Sequence, residues 1–252
     1  MSTILVTGST AGLGLEVARR LAERGETVLV HGRDEARLAE AHESTGAATS
    51  YLADLSSLEG ARRLAAEVSA EHGSLDLLLN NAGIIVSGRE RRLSADGHEL
   101  GFAVNYLAGF LLWHELRPAR VVNVSSIGQQ EIDFDDVMLE RGYTSTRSYS
   151  QSKLAQILFT LELAERAPDG VTSDALHPAT LMDTQMVRAF MGPGGARSTV
   201  DQGADAVMYV VNSPGTGRYF DGQEESTADP QAYDPEARRR LWALSESLIF
   251  TS

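Results

Sequence analysis

The sequence predicts an α/β protein of one domain, residues 1–252, built as a doubly wound parallel sheet with helices on both faces. Three features predict it. Short apolar or β-branched runs alternate with helix-spaced segments along the whole chain. The run at 75–79 is four leucines around Asp76, the composition of a strand covered on both faces. A glycine-rich turn joins the first run to the first helix.

The elements follow in order. Residues 3–7 are β-branched and form a first strand. Residues 12–24 have helical spacing, with Leu13, Val17, Ala18 and Leu21 on one side and Gly25 as the stop. A second strand is expected at 27–31, a helix at 34–44, a weak strand at 49–52 and a helix at 56–71. The 75–79 strand precedes a helix at 97–116 and a fifth strand at 120–124. A polar stretch, 128–148, leads to a long helix at 149–166. Then come a strand at 171–176, a helix at 201–211, a short strand at 218–220 and a terminal helix at 235–248. Two segments, 128–148 and 180–199, are expected to be flexible loops beside the substrate. The second contains the breaker cluster Gly192-Pro193-Gly194-Gly195.

Composition narrows the class of function. Hydrophobic residues make up 42% and charged residues 23%, the balance of a globular chain. There is no cysteine, which removes disulfides, thiolate metal sites and cysteine nucleophiles. A net charge of −13 weighs against nucleic-acid and acidic-membrane partners. No apolar run reaches membrane-spanning length, and Met1-Ser2-Thr3 enters the first strand without a basic leader. A cytoplasmic location is the expectation. His98, His114 and His177 lack metal-ligand spacing, so no metal is expected. Arg238-Arg239-Arg240 reads as a solvated helix face, and 88–92 as a polar loop.

The 22 basic residues are 21 arginines and one lysine, Lys153. Nucleotide composition accounts for the bias. The exception suggests a position where a broad guanidinium does not fit and a compact ammonium does.

Gly8, Ser9, Thr10, Gly12, Leu13 and Gly14 form the turn after the first strand. Glycines there let the backbone approach a pyrophosphate, while the helix N-terminus offers N–H donors. The spacing GxxxGxG, directly between strand and helix, points to a dinucleotide. The second strand ends at His31-Gly32-Arg33-Asp34, where ribose recognition is expected. An arginine there favours the 2′-phosphate of NADP(H), and an acid favours NAD(H). Arg33 comes first, and Asp34 suits the N-cap of the next helix. NADP(H) is therefore favoured over NAD(H).

Tyr149 and Lys153 are four residues apart and share a helix face. A neighbouring ammonium is expected to lower the phenol pKa and make Tyr149 a usable general acid. Ser126 follows the fifth strand, with Ser125 as its rival. Strand alternation sends the two hydroxyls to opposite sides, so only one should serve.

These residues together resemble the short-chain dehydrogenases/reductases over essentially the whole chain. The shared motifs are the Gly8–Gly14 turn, Asp54-Leu55, Asn80-Asn81-Ala82-Gly83, Asn105, Ser126 and Tyr149-Ser150-Gln151-Ser152-Lys153. The nearest branch is the retinol-dehydrogenase-like and WW-domain-oxidoreductase-like one. It shares the segment 148–155, the longer stretch before Tyr149 and the tail 233–248.

The resemblance implies a dinucleotide-binding (Rossmann-type) fold and catalytic roles for Asn105, Ser126, Tyr149 and Lys153. Tyr149 would exchange the proton with the carbonyl oxygen, and Ser126 would hydrogen-bond that oxygen. Lys153 would hold the nicotinamide ribose, and Asn105 a water linking Lys153 to solvent. Asp54 and Leu55 would contact adenine, and Asn81, Ala82 and Gly83 the adenosine ribose side. Pro178 and Thr184 would lie by the nicotinamide. Relatives have Pro-Gly and a threonine five residues after the proline; here stand Pro178-Ala179 and Asp183, with Thr184 next. Glu131, Asp133, Asp135 and Asp136 fall in extra sequence before Tyr149 and would border the cleft or form a solvated acidic loop. Met182, Met186, Phe190 and Met191 would line an apolar pocket or simply pack.

The expected activity is NADPH-dependent reduction of a ketone or aldehyde on a moderately large apolar molecule. Alternatives are an NAD-dependent alcohol dehydrogenase and a non-catalytic cofactor-sensing regulator or scaffold. The usual sign of the last, a broken tyrosine–lysine pair, is missing. Relatives often form dimers or tetramers through the Asn105 and Tyr149 helices, so a homodimer or homotetramer is an expectation.

Overall fold

The structure is a computed structural model that describes residues 1–166, 170–192 and 194–250. Its centre is an eight-stranded sheet in the order β3-β2-β1-β4-β5-β6-β7-β8. The strands are β1 (Thr3–Val6), β2 (Thr27–Gly32), β3 (Thr49–Leu52), β4 (Leu77–Asn80), β5 (Arg120–Val124), β6 (Thr172–His177), β7 (Arg218–Asp221) and β8 (Glu224–Ser226). All neighbours pair in parallel except β7 and β8. Parallel pairing requires crossovers, and the helices between the strands bury both faces. One core lies around Leu64, Leu78, Phe110, Leu154 and Trp242, the other around Val6, Val17, Leu79, Val122 and Val207.

The helices are α1 (Gly12–Glu23), α2 (Glu35–Thr45), α3 (Leu58–His72), α4 (Leu100–Phe102), α5 (Ala108–Leu116), α6 (Ser145–Arg166), α7 (Gln185–Met191), α8 (Val200–Asn212) and α9 (Pro235–Phe250). A π-helical turn, Ala103–Leu107, joins α4 to α5 and carries Asn105. The expected elements are all present, with shifted ends. The helix expected at 97–116 starts at Leu100, and α6 starts at Ser145, so Tyr149 lies one turn inside it. Neither α7 nor β8 was legible, being short segments without clear periodicity.

The strand order reverses between β1 and β4, and the turns after these strands meet there. A Cβ on Gly8 would stand 2.8 Å from Ala82 Cα. The Thr7 hydroxyl accepts from the Asn81 and Ala82 amides at 3.0 Å each, and Asn81 Nδ2 donates to the carbonyls of Thr7 and Gly8. Asn80 and Asn123 are in register across β4 and β5. Their side chains bond at 2.9 Å, and Asn123 Nδ2 continues to Thr160 on α6 at 2.9 Å.

The expected flexible segment 128–148 is instead docked. Gln231 pairs with Ile132 as a strand would, its Oε1 accepting from the amide at 2.7 Å and its Nε2 donating to the carbonyl at 3.1 Å. Gln151 Nε2 donates to the Glu131 carbonyl, and Arg91 Nε to the Met138 carbonyl. Ile132 and Leu139 are buried, and the Asp136 carboxylate accepts from the Glu140 and Arg141 amides. None of Glu131, Asp133, Asp135 and Asp136 lines the cleft. The segment 180–199 likewise holds α7, and Met182 pairs with Ser198. Within its breaker cluster, Pro193 lies outside the described residues.

The last helix, α9, packs against α5 and α6. Trp242 packs against Phe110, Trp113 and Phe159 at ring-centroid distances of 5.3, 5.1 and 6.2 Å. Arg238 is a correction to the solvated-face reading: it is mostly buried and pairs with Glu162 and Glu165 of α6. Replacing Trp242 with Ala should destabilise the fold by about 3–5 kcal/mol, measured by urea denaturation. A loss below roughly 1 kcal/mol would mean that α9 is not needed to cover α5 and α6.

Candidate active site

A cleft of about 560 Å³ runs across the carboxyl ends of the parallel strands. It gathers Gly8, Thr10, Gly12, Leu13 and Gly14 from the first turn, Arg33 from the end of β2, and Asp54 and Leu55 after β3. Asn81, Ala82 and Gly83 come from the turn after β4, Ser126 from after β5, Tyr149 and Lys153 from α6, and Pro178 and Thr184 from after β6. Parallel pairing explains the gathering, because β1 to β7 all end at the same edge.

Ser9 is the exception among the turn residues. Its buried hydroxyl donates to the Val6 carbonyl at 2.9 Å and accepts from the His31 amide at 2.8 Å, so it braces the turn from within. Asn105 also lies behind the cleft wall. Its Nδ2 donates to the Ile84 carbonyl and Ser152 Oγ, and its Oδ1 accepts from the Ile84 amide at 2.7 Å. The side chain thus latches the turn after β4 to α6.

The dinucleotide end has the features a pyrophosphate needs. Gly8 and Gly12 have φ of 64° and 54°, a region that favours glycine. A Cβ on Gly14 would stand 2.5 Å from the Gly8 carbonyl oxygen, so the turn cannot close around a larger residue. No side chain caps α1, whereas Asp34 caps α2 and Ser57 caps α3. The first amides of α1 are therefore open to an anionic ligand. The residues present fit a bound dinucleotide.

His31 is a residue that sequence reasoning passed over. It is buried, with Nδ1 accepting from the Gly8 amide at 3.0 Å and Nε2 donating to the Ala53 carbonyl at 3.1 Å. This bonding fixes a neutral tautomer, and burial lowers its pKa to about 4. The sequence signal was a histidine at the inward end of β2, within reach of the glycine turn. Arg37, on the first turn of α2, also lines the cleft beside Arg33, and its Nη1 reaches Gln185 at 3.3 Å. Neither arginine has an acidic partner among the described residues. Asp34 accepts from the Arg37 amide at 3.0 Å, as an N-cap should.

At the reacting end, the two serines separate as alternation requires. Ser125 Oγ donates to the Lys153 carbonyl at 2.7 Å and is committed to α6. Ser126 Oγ accepts from the Gly128 amide and lies beside Tyr149. The Ser126 carbonyl is held by Tyr219 Oη at 3.2 Å and Gln129 Nε2 at 3.0 Å. Lys153 Nζ is 5.6 Å from the centre of the Tyr149 ring and donates to the Val124 carbonyl at 2.8 Å and Gln156 Oε1 at 3.0 Å.

One electrostatic expectation is corrected. Burial raises the Tyr149 pKa above the ordinary phenol value, with Ser126 acting in the opposite direction. Burial also lowers Lys153 to about 7. Lys153, pulled down to about 7, loses its charge before the raised phenol titrates and so does not offset the cost of burying the phenolate.

Apolar side chains also line the cleft. Ile84, Ile85, Val104, Ile127, Met182, Met186, Val187 and Phe190 are among them, whereas Met191 is exposed and is not. Thr184 caps α7 with its methyl over Gly12, and Asp183 is drawn to the surface by Arg188 at 2.7 Å. Among the described residues no cluster suited to a metal exists, and no helix is long and apolar enough to cross a membrane.

This fold and site define an NAD(P)-dependent oxidoreductase. The short chain dehydrogenase family model matches residues 2–191. The chain is 34% identical to human retinol dehydrogenase 13, over 98% of this chain and 84% of the relative. It is also 34% identical to mouse retinol dehydrogenase 14, over 98% and 85%. A solved structure of an uncharacterized protein from Mycobacterium paratuberculosis superposes with a TM-score of 0.84 at 31% identity, covering 99% of this chain and 93% of that one. A mutant actinorhodin polyketide ketoreductase with NADPH gives 0.66 at 25%, covering 87% and 95%. The chain belongs to the short-chain dehydrogenase/reductase family.

His31 makes stability depend on pH in a defined direction. Folding lowers its pKa, so the unfolded chain takes up the proton first. Its contribution is complete above about pH 6.5 and is lost as the pH falls toward 4, amounting to roughly 3 kcal/mol. The variant His31→Gln should flatten this part of a urea-stability profile against pH. An unchanged slope would show that His31 is not the group responsible.

Proposed function

We propose that the protein is an NADPH-dependent reductase of a ketone or aldehyde carried on a moderately large apolar molecule. The observation that carries the reading is the placement of Ser126, Tyr149 and Lys153 at one end of a cleft with two unpaired arginines, Arg33 and Arg37, at the other. The ketoreductase structure with NADPH and the retinol dehydrogenase relatives fit the same chemistry.

The bound nicotinamide supplies the hydride. The amides of the Gly8–Gly14 turn and of α1 hold the pyrophosphate. Arg33 and Arg37 hold a 2′-phosphate, while the Asp34 carboxylate accepts from the Arg37 amide as the cap of α2. Lys153 holds the nicotinamide ribose from the side of Gly83. Ser126 donates a hydrogen bond to the substrate oxygen, and Tyr149 Oη gives up its proton there as negative charge develops. A phenol kept neutral by burial is the form that donates, which suits reduction at neutral pH. Asp54 and Leu55 border the adenine, and Asn81, Ala82 and Gly83 its ribose. Pro178 and Thr184 close the nicotinamide end. The apolar part of the lining, Ile84, Ile85, Val104, Ile127, Met186 and Phe190 among it, favours an apolar substrate.

Replacing Tyr149 with Phe should lower turnover of an apolar ketone by about 10²–10⁴-fold while leaving NADPH binding intact. NADPH consumption and nicotinamide fluorescence measure the two effects. Turnover that survives would remove Tyr149 as the proton donor. For the cofactor, Arg33→Ala and Arg37→Ala should each weaken NADPH by roughly tenfold or more and leave NADH nearly unchanged. Tighter NADH than NADPH in the unmodified protein would overturn the preference and turn the search toward alcohol oxidation.

A further inference from the structure

An ammonium has three N–H donors, and Lys153 uses two of them inside the protein. One goes to the Val124 carbonyl at the end of β5. The other goes to Gln156, one helical turn further along α6, whose side chain is buried. Gln156 is itself held in place. Its carbonyl accepts from Thr160 Oγ1 at 2.8 Å, and Thr160 is tied through Asn123 to Asn80 across the sheet. The third donor faces no protein acceptor among the described residues. Beside Gly83 there is a gap where a Cβ would stand 3.4 Å from Lys153 Nζ and 3.5 Å from Asn105 Oδ1.

The titratable side chains lining the cleft are Tyr149 and Lys153 from α6, His31 and Arg33 from β2 and its end, Arg37 from α2, Asp54 after β3 and His177 from β6. Behind the wall, Tyr219 from β7 bonds to Ser126. None contributes to the shift at Lys153, which burial alone pulls down to about 7. In such surroundings an acceptor in direct contact decides how much of the charge survives. A carboxylate at 156 would hold the cation as a tight pair, and an apolar residue would leave the donor unmet.

We propose that Gln156 is a positioning residue for Lys153: its side-chain oxygen anchors the ammonium from behind, keeps it charged and leaves one donor free at the Gly83 gap. That this free donor meets the ribose of the cofactor rests on the function proposed above. The anchoring itself does not.

Lys153 is the sole lysine of the chain. Lysine labelled with ¹³C at Cε therefore gives one side-chain resonance, and its pH titration reads the charge directly in the protein without cofactor. The unmodified protein should titrate near 7. Gln156→Met should lower the midpoint by about one pH unit, and Gln156→Glu should raise it by at least as much. NADPH affinity, followed by fluorescence, should fall above the midpoint and move with it in each variant. Midpoints that stay fixed, or move the same way in both variants, would overturn the proposal. Should circular dichroism show that the Met variant does not fold, the Glu variant decides alone by the direction of its shift. Opposite shifts without NADPH binding by any form would uphold the anchor and overturn the cofactor reading.

Discussion

Lys153 keeps an ammonium out of water with no carboxylate beside it, and much of the surrounding architecture follows from satisfying that charge. A buried cation without acceptors is too costly to keep. One acceptor comes from the last carbonyl of β5 and another from the next turn of α6, so strand and helix must be held at a fixed spacing. The bond from Ser125 Oγ to the Lys153 carbonyl fixes that spacing, and the ladder Asn80–Asn123–Thr160 extends it across two strands. The residue after Gly83 cannot wander either, because Asn105 latches Ile84 to α6. An arginine would need a flatter and wider slot than these partners leave.

The parallel sheet supplies the rest. Every crossover returns the chain to the same direction, so the turns after β1, β2, β3, β4, β5 and β6 all open at one edge. Backbone amides left over at strand and helix ends are then available together, in a cleft whose floor is the sheet itself. The turns after β1 and β4 approach within contact because Gly8 has no side chain to separate them. His31 then supports the turn from below through a neutral ring, and Ser9 supports it from within. Many polar groups of the site are thus committed to one another, and the donors left over among the described residues include the first amides of α1, Arg33, the Ser126 hydroxyl and one N–H of Lys153.

The same logic accounts for the chain beyond the reacting residues. Helix α6 must bury polar groups on its sheet-facing side and apolar groups on the other, and it is covered on the outside by α9 through an aromatic cluster. The tail before α9 also reaches the site. Gln231 clamps Ile132, and the Asp229 amide donates to Gln129, which helps hold the Ser126 carbonyl. The extra sequence before Tyr149 is consequently a docked wall, and its acidic residues are spent on capping its own turns or facing solvent.

The order of strands and helices was legible in the chain, because short apolar or β-branched runs and segments of helical period 3.6 alternate along it. So were the dinucleotide turn, the serine on the open side of β5 and the tyrosine–lysine pair, since each depends on spacing within one element or at one junction. Relations between segments far apart in the chain emerged only with packing. The balance of charge at Tyr149 and Lys153 depends on burial and on Gln156 and Val124, and local spacing carries no measure of either. Ser9 turned inward because its hydroxyl met the His31 amide of a neighbouring strand. The 128–148 segment lost its apparent freedom to Gln231, about a hundred residues later. Helix α9 covered a face that the motifs alone left open. Short-range geometry is written in side-chain order, whereas desolvation and long-range hydrogen bonding exist only once the chain has packed.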